Sequence, residues 1–164
     1  MLTQEQLDFY KENGYLHIKG LFTAEEAAAF RQEAHELIAR LQAVKSVEAT
    51  WGSAAEVTMT KTSLLHCHDV QFQSAAFARL ITDPRLTEIA AGIIGSPNVQ
   101  LHHNKLFIKP PEKGSPFPMH QDQPFFPHDK DSMIAAIIHF DDAPQKKAVY
   151  GWFPAATRTG RFPI

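Results

Sequence analysis

The chain has 164 residues, of which 44% are apolar, enough for one hydrophobic core but too few residues for two independent domains. Its 16 basic and 18 acidic side chains leave a net charge of -2, so a nucleic-acid partner, which requires a basic surface, is not expected. One cysteine excludes an internal disulfide, and no signal sequence or apolar run of about 20 residues is present. These features predict a soluble, cytoplasmic protein with no membrane partner.

The N-terminal segment carries the pattern of a short helix followed by a turn. Thr3 and Gln6 have the capping-box spacing, in which each side chain satisfies a backbone amide of the other residue. The helix should end at Asn13-Gly14, because glycine readily takes the left-handed conformation that stops a helix. The alternating residues 15–18 then predict a strand.

Two further helices are indicated by their first residues. Thr23 and Glu26 form a second capping box, and an Ala- and Glu-rich stretch with apolar residues at helical spacing follows it. Asp83-Pro84 combines an N-cap carboxylate with a proline at the first helical position, and Gly95 is placed to end that helix. We expect the long second helix to pack one face on a sheet.

The second half of the chain is richer in strand patterns. Residues 57–61 form a possible strand, and residues 99–109 alternate with polar groups on both faces, as in a barrel or sandwich with a wet interior. The proline-broken stretch up to His128 and the run 133–140 add two or three short strands. Helices followed by strands predict an α+β protein, with a helical flank on a β-sandwich or jelly roll.

The segment Met119-His120-Gln121-Asp122 is the strongest candidate for chemistry. On an extended segment, residues two apart point to the same face, so the His120 imidazole and the Asp122 carboxylate converge. With one distant histidine they would form the two-His-one-carboxylate triad of non-haem iron. The alternative is a turn histidine that hydrogen-bonds a nearby aspartate, which is common in proteins.

Three stretches of the chain match one known family. Residues 106–111 and 118–127, with KPP before a turn and HQD after it, resemble the phytanoyl-CoA dioxygenase family of iron(II)- and 2-oxoglutarate-dependent oxygenases. The opening residues 14–16 and 20–22, followed by a long helix, fit the same family, and the resemblance covers about residues 3–144.

The resemblance implies a fold, two cofactors and a set of site residues. It implies a double-stranded β-helix core, of jelly-roll or cupin-like type, in which His120 and Asp122 are two of three ligands to Fe(II). It also implies 2-oxoglutarate as co-substrate and a small organic or acyl-CoA-like molecule as substrate. A basic residue upstream of His-x-Asp can contact 2-oxoglutarate in this family; Lys61 is the best-placed match and Lys105 the second. The alternative for either lysine is a solvated surface charge.

The remaining histidines receive weaker interpretations. In His66-Cys67-His68 the adjacent side chains should diverge, so we do not expect a metal cluster there. In His102-His103 alternation should send one ring to each face of a strand, and His103 should share its face with Lys105. Asp141-Asp142 is expected to end a strand in solvent.

The resemblance stops after Pro144. Family members continue with a motif like G-C-x-x-V-V-P-G-S-H, whereas residues 145–164 offer no distal iron-binding histidine and no arginine placed to bind 2-oxoglutarate. In a reading frame that joins the third base of each codon to the first two bases of the next, the codons of Trp152 and Phe153 must encode valine. The neighbouring codons can encode the remaining residues of the family motif in the same frame. We therefore expect residues 1–144 to be the N-terminal part of one dioxygenase-like domain and residues 145–164 to be an aberrant, frameshifted tail. Such a chain should have an incomplete β-helix and should be inactive.

Two other classes of function remain open at this point. One is a non-catalytic β-sandwich binding module with an incidental His-x-Asp pair. The other is a cupin-like zinc or manganese hydrolase or isomerase in which His103 is the third ligand. The sequence makes no prediction of the oligomeric state.

Overall fold

The computed structural model describes residues 2–43, 65–108 and 132–142, together with residues 120, 122, 125, 126, 128 and 130. The predicted strand 57–61, Lys61 and the tail 145–164 lie outside the described residues. The order of elements is helix, helix, strand, 3-10 helix, helix, helix, strand.

The first helix, α1 (Gln4–Asn13), confirms the first capping box. The Thr3 amide donates to Gln6 Oε1 at 2.9 Å, and the Gln6 amide donates to Thr3 Oγ1 at 3.2 Å. Gly14 has φ 77° and ends the helix as expected. The predicted strand at 15–18 is wrong, because these residues are irregular and do not join a sheet. The Tyr15 ring instead packs edge-on against Phe9, with centroids 5.3 Å apart.

The second helix, α2 (Ala24–Ala43), begins at the second capping box. The Thr23 amide donates to Glu26 Oε2 at 2.8 Å, and the Glu26 amide donates to Thr23 Oγ1 at 3.2 Å. One face of α2 is buried, through Ala34, Leu37 and Ile38. The helical periodicity of the sequence therefore identified the face that enters the core.

Three shorter helices follow the first strand, β1 (Leu65–His68). A 3-10 helix (Val70–Phe72) leads into α3 (Ala75–Ile81), which the sequence patterns did not predict; Ser74 is its N-cap. The helix α4 (Pro84–Ile94) was predicted correctly. The Asp83 side chain accepts from the Arg85 amide at 2.8 Å, and Gly95 ends α4 with φ 74°.

The N-termini of α2 and α4 are joined through Arg85. Its guanidinium donates to Glu26 at 2.8 and 3.0 Å and to Asp83 at 2.7 and 2.9 Å, and it lies 4.5 Å from the centre of the Phe22 ring. Hydrogen bonds from Arg85 hold the pKa of the Glu26 and Asp83 carboxyls below their usual range. Each carboxylate also lies near a helix N-terminus, which favours its negative charge.

The strands β1 (Leu65–His68) and β2 (Lys105–Ile108) form an antiparallel pair. Cys67 pairs with Leu106 on the buried face, and His68 pairs with Lys105 at one end of the ladder. Of the strand predicted over 99–109, residues 99–104 are irregular and Lys105–Ile108 are a strand, while residue 109 lies outside the described residues. The strand predicted over 133–140 is wrong, because these residues are irregular and none of the described sheet pairs includes them.

The core lies between α2, α3 and the strand pair. Its buried residues are Ala34, Leu37, Ile38, Cys67, Val70, Phe77, Leu80 and Leu106. Phe140 packs on this cluster, with its ring centroid 5.5 Å from that of Phe77. The mixed helix and strand composition confirms the α+β class, and closure of a β-helix stays a prediction. Among the residues that the structure describes, no helix is both long and apolar enough to cross a bilayer.

Asp141 is exposed, as expected, but it does not end a strand. Its carboxylate accepts from Arg31 Nε at 2.5 Å and lies 3.1 Å from His35 Nε2. Partial burial raises the pKa of Asp141, yet the contacts with Arg31 and His35 outweigh that effect and lower the pKa overall. These contacts attach the segment 132–142 to α2.

Candidate metal and co-substrate site

The structure brings His120 and Asp122 together. His120 Nε2 lies 3.4 Å from Asp122 Oδ1, and both residues are exposed. Two ligand atoms about 2.1 Å from one metal ion and at right angles to each other are about 3.0 Å apart. The observed separation is therefore compatible with both atoms binding the same ion, and an imidazole with a carboxylate is a donor set that suits iron.

A turn after Asp122 fixes the backbone of that residue. The amides of Phe125 and Phe126 both donate to the Asp122 carbonyl oxygen, at 2.9 and 3.0 Å. The Phe125 ring lies edge-on to His120, with centroids 6.4 Å apart. His128 Nδ1 lies 2.6 Å from the Phe126 carbonyl oxygen. Phe125 and Phe126 therefore contribute to the geometry of the candidate site.

The prediction that the His102 and His103 rings occupy opposite faces is wrong. Their Nδ1 atoms are 2.6 Å apart, and the ring of Phe126 lies 4.9 and 4.8 Å from the two imidazole centroids. Alternation requires a strand, and residues 101–104 are irregular because β2 begins only at Lys105. In a hydrogen bond between two Nδ1 atoms, one nitrogen donates its N–H and the other accepts with its lone pair. The accepting imidazole is therefore uncharged.

His103 is electrostatically coupled to several groups of the site. Loss of hydration lowers its pKa most, and the positive charge of Lys105 and the neighbouring His102 lower it further; the Asp122 carboxylate acts in the opposite direction. His68, the cross-strand partner of Lys105, adds a smaller lowering effect. Lys105, His102, His68 and Asp122 thus all lie close enough to His103 to change its pKa.

Within the part of the chain that the structure describes, no group of three His, Cys, Asp or Glu side chains could hold a metal ion. His103, the alternative third ligand, has its Nδ1 engaged with His102. Neither His68 nor Cys67 joins His120 and Asp122, and the Cys67 thiol is buried on the opposite face of the strand pair from His68. A third ligand therefore has to come from elsewhere.

A family model, phytanoyl-CoA dioxygenase (PhyH), matches residues 10–148. The chain belongs to the PhyH family. This membership confirms the resemblance read from the KPP and HQD segments, and with it the expected cofactors, iron(II) and 2-oxoglutarate.

Individual relatives of this PhyH chain differ in their substrates. A probable alpha-ketoglutarate-dependent hypophosphite dioxygenase of Stutzerimonas stutzeri is 26% identical over 152 residues, covering 93% of this chain and 52% of the relative. Human peroxisomal phytanoyl-CoA dioxygenase is 33% identical over 144 residues, and the match covers 82% of this chain and 41% of the human protein. Among solved structures, the epimerase SnoN in complex with Fe3+, alpha ketoglutarate and nogalamycin RO is 31% identical in sequence. The structural match covers 57% of this chain and 32% of the SnoN chain, with a TM-score of 0.44. The chain spans about half the length of these curated relatives.

Proposed function

We propose that this chain carries the His120 and Asp122 ligands of an iron(II)- and 2-oxoglutarate-dependent dioxygenase that hydroxylates an unactivated C–H bond of a small organic or acyl-CoA-like molecule. The supporting observation is the 3.4 Å separation of His120 Nε2 and Asp122 Oδ1 inside the segment that matches the PhyH family. When bound, iron supplies the activation of dioxygen that drives oxidative decarboxylation of 2-oxoglutarate. His120 and Asp122 would hold the iron through one imidazole nitrogen and one carboxylate oxygen.

Binding of 2-oxoglutarate requires positive charge beside the metal ligands. Lys105 is one candidate for this charge, because it lies at the end of β2 next to His103, whose pKa its positive charge lowers. An ammonium can form a charge-assisted hydrogen bond with a carboxylate of the co-substrate. Lys61, the best-placed match to the family pattern, is the first proposed contact and lies outside the described residues. We also propose a cytoplasmic location and a small-molecule substrate.

Turnover is not proposed for the 164-residue chain as it stands. Residues 145–164 contain no histidine for the third position, and their codons are compatible with the family motif after a shift of one base. We propose that the active protein is read in the shifted frame from about residue 145. Sequencing the locus tests this: the shifted frame should encode a histidine beyond a P-G-S-H motif, and a stop codon soon after the shift would contradict it.

Anaerobic titration of the protein read in the shifted frame with iron(II) and 2-oxoglutarate tests the proposed site. Binding of both at one centre should produce a charge-transfer absorption band that neither produces alone. A binding module with an incidental His120–Asp122 contact would give no band at any iron concentration. A zinc or manganese hydrolase would bind metal without responding to 2-oxoglutarate. Either result would refute the proposal.

A further inference from the structure

Asn104 lies between His103 and Lys105 and makes three hydrogen bonds with the turn that follows β1. Its carbonyl oxygen accepts from the Asp69 amide at 3.1 Å. Its side-chain Oδ1 accepts from the Val70 amide at 2.9 Å, and its Nδ2 donates to Gln71 Oε1 at 2.5 Å. Both ends of the side-chain amide are therefore used.

The Val70 amide is a group that requires an external partner. It belongs to the first turn of the 3-10 helix, where no preceding carbonyl of the helix can accept from it. Asp69, at the N-cap, has a left-handed backbone with φ 52° and makes no side-chain capping bond. Asn104 supplies the cap from 34 positions away, and the Val70 side chain is buried in the core. The irregular segment before β2 is thereby attached to the folded core.

A continuous set of contacts runs from this attachment to the metal candidates. The ring of His103, the residue before Asn104, packs against Phe126 with centroids 4.8 Å apart. The Phe126 amide donates to the Asp122 carbonyl oxygen at 3.0 Å. Lys105, the residue after Asn104, is held in register opposite His68.

We propose that Asn104 is a positioning residue, which holds the His103 ring against Phe126 of the turn after Asp122, and Lys105 in register opposite His68, by capping the 3-10 helix. The proposal rests on the proposed metal role of Asp122. Asparagine suits the position because one small side chain provides both the acceptor for Val70 and the donor for Gln71. Aspartate would keep the acceptor and lose the donor, and alanine would lose both.

Paramagnetic Mn2+ is a suitable probe, because its effect on a nuclear resonance decreases steeply with distance and it accepts the same ligand types. In the unsubstituted chain, Mn2+ should broaden the ring resonances of His103, and Asp122→Ala should abolish that broadening. Asn104→Ala should lose most of the His103 broadening, although Mn2+ still broadens the His120 ring. Asn104→Asp should retain part of it, because the bond with Val70 remains.

Ser74→Ala is the matched control. The Ser74 hydroxyl also caps a helix in this core, by accepting from the Phe77 amide at 3.4 Å. This variant should lower the thermal unfolding midpoint without changing the broadening of His103. A general loss of stability therefore cannot imitate the expected result.

The outcomes separate the two proposals. If the unsubstituted chain shows no broadening, or if Asp122→Ala leaves it unchanged, both the metal site and the role of Asn104 are wrong. If Asn104→Ala and Asn104→Asp keep the full broadening of His103, the role of Asn104 alone is wrong. If Asn104→Ala does not fold, the result for Asn104→Asp decides, and the NMR spectrum of its backbone amides shows whether that variant is folded.

Discussion

Replacing Phe77 by alanine should remove most of the stability of the core that α3 forms with α2. Phe77 is 2% exposed, and its ring packs 5.5 Å from that of Phe140. A buried aromatic side chain covers about 150–250 Å², which at about 25 cal/mol per Å² gives about 4–6 kcal/mol. The methyl group of alanine and partial collapse of the cavity reduce the expected loss to about 3–5 kcal/mol, a large part of the stability of a small domain.

The chain contains its own control for this experiment. Phe72 is the same residue type in the adjoining 3-10 helix, but it is 81% exposed. Phe72→Ala should change the free energy of unfolding by less than about 0.5 kcal/mol. Urea unfolding followed by far-ultraviolet circular dichroism measures both values. Equal losses for the two variants, or a larger loss for Phe72→Ala, would refute the packing of α3 described above.

Three further predictions concern the site and the ion network. In the protein read in the shifted frame, Asp122→Ala should abolish iron(II) binding, measured by anaerobic calorimetry, whereas His66→Ala should leave it near normal; the reverse result would place the metal elsewhere. Lys105→Ala should weaken 2-oxoglutarate binding by about 1.5–3 kcal/mol, the value of a lost charge-assisted hydrogen bond, with little change in iron affinity. Because contact with Arg85 lowers the pKa of Asp83, the stability from this contact should be complete above pH 4–5 and lost as the pH falls through the lowered value. The difference in unfolding midpoint between the chain and Arg85→Met should therefore be smaller at pH 3 than at pH 7, and an equal difference at both would contradict this account.

The features that could be predicted from sequence are those that depend on near neighbours. Capping of α1 by Thr3 and Gln6 involves residues three apart, and so does the start of α2. The turn at Gly14 follows from the conformational freedom of one residue. The convergence of His120 and Asp122 is also local, because it spans only two positions.

The features that could not be predicted depend on distant partners. Alternation over 99–109 indicates an extended chain but does not show that only Lys105–Ile108 finds a neighbour, β1. The capping of Val70 by Asn104 joins positions 34 apart, and no spacing rule connects them. The helix α3 was missed for another reason: seven residues give too few turns for a clear period, and the proline after it, Pro84, was interpreted as the start of α4.

The reactivity of the Cys67 thiol measures how often β1 separates from β2. It is the single cysteine of the sequence, is 7% exposed, and faces the core from β1 opposite Leu106. A thiol reagent can therefore react only after β1 opens locally, and the ratio of the observed rate to that of an unfolded peptide gives the free energy of that opening. The opening of β1 also separates His68 from Lys105. The alkylation rate of Cys67 in the unsubstituted chain therefore also measures how often the His68–Lys105 pair separates.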